Sequence, residues 1–171
     1  MPGRAHLSNR LKAAVLLAAM LAGTGCAGGG APVAVPSAPA DATVVDQCAQ
    51  LLTALPQEVD GLGRRDVEPR DAAAAAWGDP PVVLRCGVPK PAALHRASAC
   101  FVVDDVGWLV TQSGHTLHPG QPVAGELTFT TVGLSTYVEV TVPRDYQPQG
   151  DVLVDLAPAI LKATDTVAPC Q

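Results

Sequence analysis

Cys26 closes an N-terminal block that does not read as part of a folded domain. Arg4, Arg10 and Lys12 give a basic start, an apolar run fills residues 13–22, and Gly23-Thr24-Gly25 lead directly into the cysteine. A basic start, a short apolar run and small residues before a cysteine form the pattern of a secretory signal cut at that cysteine, whose thiol then carries a lipid. Residues 1–25 are therefore expected to be removed as a lipoprotein signal peptide, and Cys26 to be lipidated. The competing interpretation is an uncleaved transmembrane helix, which needs roughly 20 predominantly apolar residues. The strong run here is about half that length, and Gly28-Gly29-Gly30 followed by Pro32 would end a helix early. Gly23 occupies a position where a larger aliphatic residue is commoner, which leaves cleavage at a neighbouring site as the alternative.

Removal of this block changes the charge. The whole chain carries a formal net charge of −5; residues 1–25 hold three basic groups and no acid, so the remainder carries −8. An acidic body does not suit nucleic acid or anionic headgroups as partners. The expected contact with the membrane is the lipid.

Residues 26–40 hold the lipid attachment and then only Gly, Ala, Pro, Val and one Ser. Such a composition predicts a partly extended tether, which at about 3.1 Å per residue could reach roughly 40 Å. Residues 41–171 have the size of one domain with one core. Four cysteines follow Cys26: Cys48, Cys86, Cys100 and Cys170. An even number in an exported chain predicts two structural disulfides, with three connectivities open. No Cys-x-x-Cys motif occurs, which argues against a thioredoxin-like redox site.

Val44, Cys48, Leu51 and Leu55 recur at helical spacing; Asp41 or Thr43 can cap the start and Pro56 marks the end. The stretch from Arg64 to Arg70 is dense in both signs and is expected to be exposed. Ala72 to Ala76 suggest a short helix on propensity. Trp77-Gly78-Asp79-Pro80-Pro81 reads as a turn feeding a buried strand over residues 82–88. Further strands are expected over 100–104 and 106–112, joined by a tight turn at Asp104-Asp105, and over 127–130 and 137–142. In the last, Val138, Val140 and Val142 should face the core, with Glu139 and Thr141 outward. Residues 113–125 read as a Gly/Pro loop. Leu153, Leu156 and Ile160 could share a helical face, with Pro158 either kinking the helix or lying just after a start near Ala157. The fold class that follows is α+β: a single, mostly antiparallel sheet of about five strands, an N-terminal and a C-terminal helix packed on one face, and two disulfides.

Trp77-Gly78-Asp79-Pro80-Pro81-Val82-Val83-Leu84-Arg85-Cys86-Gly87-Val88-Pro89 resembles the actinobacterial family of exported or membrane-anchored proteins known as domain of unknown function 3515. Cys48-Ala49-Gln50-Leu51-Leu52-Thr53-Ala54-Leu55-Pro56, Val106-Gly107-Trp108-Leu109 and Tyr137-Val138-Glu139-Val140-Thr141-Val142-Pro143 agree with it. The resemblance implies a cell-envelope protein and supplies no catalytic residue. It also implies that Cys48 pairs with Cys86, leaving Cys100 for Cys170.

Few residue sets could carry chemistry. His115 and His118, three apart, could share a metal, but a site needs further ligands and a fixed frame. No Gly-x-Ser-x-Gly is present, and Ser98, Ser113 and Ser135 stand in undistinguished settings for a triad. No phosphate-binding glycine loop follows a strand. Arg64 and Arg65 with Trp77 form the best candidate binding surface, since Arg and Trp are favoured at interface hot spots. The expectation is a lipid-anchored module on the extracytoplasmic face of the cell membrane. It is non-enzymatic and cofactor-free, and it serves cell-envelope biogenesis or maintenance by binding an envelope protein or cell-wall component. The alternative is an envelope enzyme or metal-binding domain using the His115/His118 loop.

Overall fold

The structure, a computed structural model, describes residues 30–37 and 41–168. The expected lipidation site Cys26 and the expected disulfide partner Cys170 lie outside them. The described chain enters as an extended piece, Val33–Ala34 (β1), and then forms a helix, Ala42–Ala54 (α1). Asp41 caps α1: its carboxylate accepts from the backbone N–H of Thr43 at 2.9 Å and of Val44 at 3.3 Å. Three short strands follow, Glu58–Val59 (β2), Leu62–Arg65 (β3) and Val67–Glu68 (β4). Ala74–Trp77 (β5) and Val82–Cys86 (β6) form a hairpin. Phe101–Val103 (β7) and Val106–Gln112 (β8) form another, turning on Asp104 and Asp105, both at positive φ. His115–Thr116 (β9), Leu127–Val132 (β10), Val138–Val142 (β11) and a helix, Val152–Ala163 (α2), complete the order.

The main sheet runs β2-β3-β5-β6-β11-β10-β8-β7, with β9 added on β8. Its pairings are antiparallel. Register puts Ala75, Leu84, Val140, Phe129 and Val110 in one row across five strands, all buried. Cys48, Leu51 and Leu55 of α1 and its end, and Leu153, Leu156 and Ile160 of α2, belong to the same core. Both helices therefore cover one face, as the alternation on β11 predicts. The opposite face carries Arg85 and Glu139, directly opposite each other on β6 and β11. The Arg85 guanidinium donates to Glu139 Oε1 from Nε at 3.1 Å and from Nη2 at 2.5 Å. Glu139 thus faces outward, but as half of an ion pair with 19% of its side chain exposed.

The strand count of about five is too low, because the main sheet has nine among the described residues. The largest departure is at residues 72–76, where helix propensity suggests a helix and the chain forms β5. Ala74, Ala75, Ala76 and Trp77 are all buried. Alanine's preference for helix over strand amounts to only tenths of a kcal/mol per residue against a β-branched residue. Burial of both faces of a central strand outweighs that, and small side chains suit it. Residues 62–65 also form a strand, although their charge hides the period. Pro158 lies inside α2, which begins at Val152 and does not wait for Ala157.

Of the two expected bridges, Cys48–Cys86 is formed, with Cα atoms 5.5 Å apart and a sequence separation of 38. On a chain-entropy model, closing such a loop stabilises the fold by about 4 kcal/mol. The described residues contain this one complete disulfide rather than two. Cys100 is not free, and Cys170 lies outside the described residues. Within the expected tether, β1 pairs in parallel with β4 (Val33 with Val67, Ala34 with Glu68), and Val35 is buried with Ala72 and Ala74. Residues 33–35 of the expected tether are therefore packed on the domain.

The register makes a sharp prediction. Val140→Asp places an unpaired charge in the central row and should abolish the cooperative thermal transition. Glu139→Gln leaves Arg85 a neutral acceptor at the same place and should cost about 1 kcal/mol or less. Thermal denaturation of both variants checks this, and the reverse ranking would contradict the register.

Candidate functional site

The residues singled out in sequence do converge. Arg64 on β3 lies directly opposite Trp77 on β5, and its guanidinium carbon sits 4.9 Å from the indole centroid. Such a stack contributes about 0.5–2 kcal/mol, more as it is desolvated. Trp77 is fully buried. Its indole N–H donates to the carbonyl of Pro56 at 3.2 Å, just past the end of α1, and Arg64 Nη1 donates to the same oxygen at 3.4 Å. Burial pushes the Arg64 guanidinium below its ordinary pKa. Arg65 Nη1 donates to Gly78 O at 2.7 Å and Nη2 to Ala31 O at 2.9 Å. Asp79 stands 3.9 Å away with its side chain largely exposed.

Arg65 therefore joins three pieces of chain: strand β3, the turn after β5 and the entering N-terminal segment. Gly78 is required at that turn. Its φ is +72°, and a Cβ there would meet Tyr146 Oη at 2.7 Å. Tyr146 donates to Pro80 O at 2.6 Å. Burial, more than anything else, raises the Tyr146 hydroxyl above the usual phenol range. The Asp79 and Asp145 carboxylates add to this, while the Asp79 backbone N–H and Arg65 oppose it. Of the expected exposed segment, Asp66, Glu68 and Arg70 are exposed, whereas Arg64 and Arg65 are half-buried.

The histidine loop has a different character. His115 opens β9, which pairs back on β8 through Thr111–Thr116 and Gln112–His115. His115 and His118 are both exposed. Among the described residues no group of three His, Cys, Asp or Glu side chains is placed to hold a metal. Ser98 and Ser135 are occupied locally: Ser98 Oγ donates to Ala93 O, and Ser135 Oγ accepts from Gln47 Nε2.

A feature that sequence reasoning missed lies at the opposite edge of the sheet from Arg64. A cavity of about 330 Å³ opens between the inner face of β7, β8 and β10, the start of α2 and the loop carrying Leu117 and Val123. Trp108, Phe129, Phe101, Leu127 and Leu153 form much of its wall. Trp108 meets Phe129 edge-to-face with centroids 6.4 Å apart. Gln149, itself buried, stiffens the rim: its Nε2 donates to Val142 O at 2.8 Å and to Gly125 O at 3.1 Å. The signal available in sequence was the aromatic pair Trp108 and Phe129 on alternating strands, but such residues are far more often simple core.

The family model described as Protein of unknown function (DUF3515) matches residues 9–168. No curated protein and no solved structure matches the chain.

Two substitutions test the Arg65 edge. Arg65→Ala should leave the fold intact and raise protease cleavage within residues 30–37 several-fold; an unchanged digestion pattern would show that Arg65 does not hold the segment. Tyr146→Phe removes one hydrogen bond and should cost about 0.5–1.5 kcal/mol near neutral pH. The native protein favours neutral Tyr146, so its contribution is fully present below the unfolded value near pH 10 and is lost as pH rises through the higher folded value. The Phe variant should lack that part of the alkaline decline, as read by denaturant unfolding against pH.

Proposed function

The chain belongs to the DUF3515 family of proteins of unknown function, and on that premise we propose that it is a lipid-anchored module on the extracytoplasmic face of the cell membrane. It binds or assembles another component of the cell envelope and carries out no chemistry of its own. The observation that carries this reading is the Cys48–Cys86 bridge in the middle of the core. Such bridges form and persist in oxidising compartments, which agrees with the basic and apolar block that precedes Cys26. A second bridge, Cys100–Cys170, belongs to the same proposal, and peptide mapping of the non-reduced protein tests it.

Binding is favoured by where the polar groups are engaged. Arg64 and Arg65 hold the protein's own backbone, and Arg85 and Glu139 hold each other. The docked segment at Ala31 begins only a few residues after Cys26. A lipid there would therefore hold the β3–β5 edge near the bilayer and direct the β7–β8 edge away from it. Arg64, Arg65 and Trp77 serve, in this reading, to seat the domain on its anchor, with Asp66, Glu68 and Arg70 left at the membrane-proximal surface.

Labelling cells with a fatty-acid analogue should mark the protein. Cys26→Ser should abolish the label and move the protein out of the membrane fraction. A variant that stays labelled, or a mature N-terminus elsewhere, would overturn the anchor.

A further inference from the structure

The Cys48–Cys86 bridge is buried, each cysteine 2% exposed, yet two cavities reach it. One, of about 300 Å³, lies between α1 and the residues before β5 and has Cys48, Cys86, Asp71 and Ala73 in its wall. The other, of about 70 Å³, lies against the end of β6 and has Arg85, Cys86, Val88 and Pro89. Ser37 lines both, and Pro36 lines the second. The entering N-terminal segment is therefore a wall common to both approaches to the bridge.

The register explains why it stands there. Ala74 lies opposite Arg85, on the outer face of the sheet, and packs with Val35 and Val83. Cys86 and the buried side of α1 belong to the inner face. The chain that leaves Val35 to enter α1 thus passes from the outer face to the inner one, past the end of β6, where Cys86 is the last strand residue. Few contacts hold it. Ala31 O accepts from Arg65 Nη2 at 2.9 Å, Val33 N donates to Asp66 O at 2.8 Å, and Val35 N donates to Glu68 O at 2.9 Å. Of residues 30–37, Val35 alone is buried. Segments with few buried apolar contacts open at much lower free energy than the whole domain.

We propose that residues 31–37 form a strap that guards the Cys48–Cys86 bridge from external thiols, and that lifting the strap makes the bridge a site of thiol–disulfide exchange. Cys86 is the sulfur attacked, because it lines both cavities and Cys48 lines one. An incoming thiolate bonds to Cys86 Sγ; the bond to Cys48 breaks, and its electron pair leaves on Cys48 Sγ, which takes a proton from water. A second thiolate attacks the external sulfur of the mixed disulfide and releases Cys86, which is protonated in turn. The bridge gains two electrons and two protons, and two external thiols become one disulfide. Arg65 is a positioning residue that keeps the strap closed. This inference goes beyond the anchored-module reading and does not rest on it, since strap and bridge belong to the chain whether or not Cys26 carries a lipid.

The test exposes the full-length protein to excess reduced glutathione under native conditions, with acid quenching at intervals and mapping of the non-reduced peptides. Denaturant unfolding of the same variants gives their global stability. Arg65→Ala, which frees Ala31, and Val35→Asp, which ejects the one buried side chain of the strap, should each speed loss of the bridge about tenfold beyond what their change in global stability predicts. The glutathione adduct should form on Cys86. Ile160→Val loosens the main core and not the Val35 cluster, and it should speed loss of the bridge only by the factor its lost stability predicts. Accelerations in Arg65→Ala and Val35→Asp that merely match their lost stability would show that reduction runs through global unfolding, and would overturn the proposal. Adducts mainly on Cys48 would overturn the assignment of Cys86 as the attacked sulfur.

Discussion

One row of buried side chains organises the domain. Ala75, Leu84, Val140, Phe129 and Val110 lie side by side across β5, β6, β11, β10 and β8. Because strand side chains alternate with period two, this row commits every neighbouring residue to a face. It sends Cys86 inward to meet Cys48 on α1, and it sends Arg85 and Glu139 outward to meet each other. A shift of one residue in β6 or β11 would bury that ion pair and break the geometry of the disulfide. Packing, pairing and the bridge therefore enforce the same register, which is the consistency expected of a sequence with one native state.

At one edge the fold uses its arginines to gather chain ends. The Arg64–Trp77 stack closes the core beneath the end of α1, and Arg65 reaches the segment that precedes β1. Guanidinium groups suit this work because their several donors lie in a rigid plane and can serve carbonyls of different segments at once. Residues rich in Gly, Ala and Pro, whose composition suits a free stalk, are consequently docked as a two-stranded parallel sheet over Ala72 and Ala74. An anchored domain with its first residues docked is held in a restricted orientation, while one on a free stalk is not.

The other edge differs. There β7, β8 and β10 and the start of α2 leave a cavity lined in part by aromatic residues, and the Trp108 N–H has no acceptor among the described residues. Two equally buried tryptophans differ in this: Trp77 donates to Pro56 O, and Trp108 finds no acceptor among the described residues. Both edges depend on the same central strands.

Sequence alone was enough for the elements whose burial is one-sided. The alternation of Val138, Val140 and Val142, a helix start capped at Asp41 or Thr43 with Leu51 behind it, and the turn at Asp104 and Asp105 each announce themselves within a few residues; the structure agrees with all three and makes Asp41 the cap. The family was also legible there, in the run from Trp77 to Pro89. What only the tertiary structure decided were features set by distant neighbours. Ala74 to Trp77 became a strand because both of its faces are covered, and β2 and β3 because partners stood ready at the edge. The meeting of Arg65 with Ala31 closes a separation of 34 residues. The unpaired N–H of Trp108 could be read from no local pattern, because an unmet hydrogen bond is a property of everything around the donor and not of the residue that carries it.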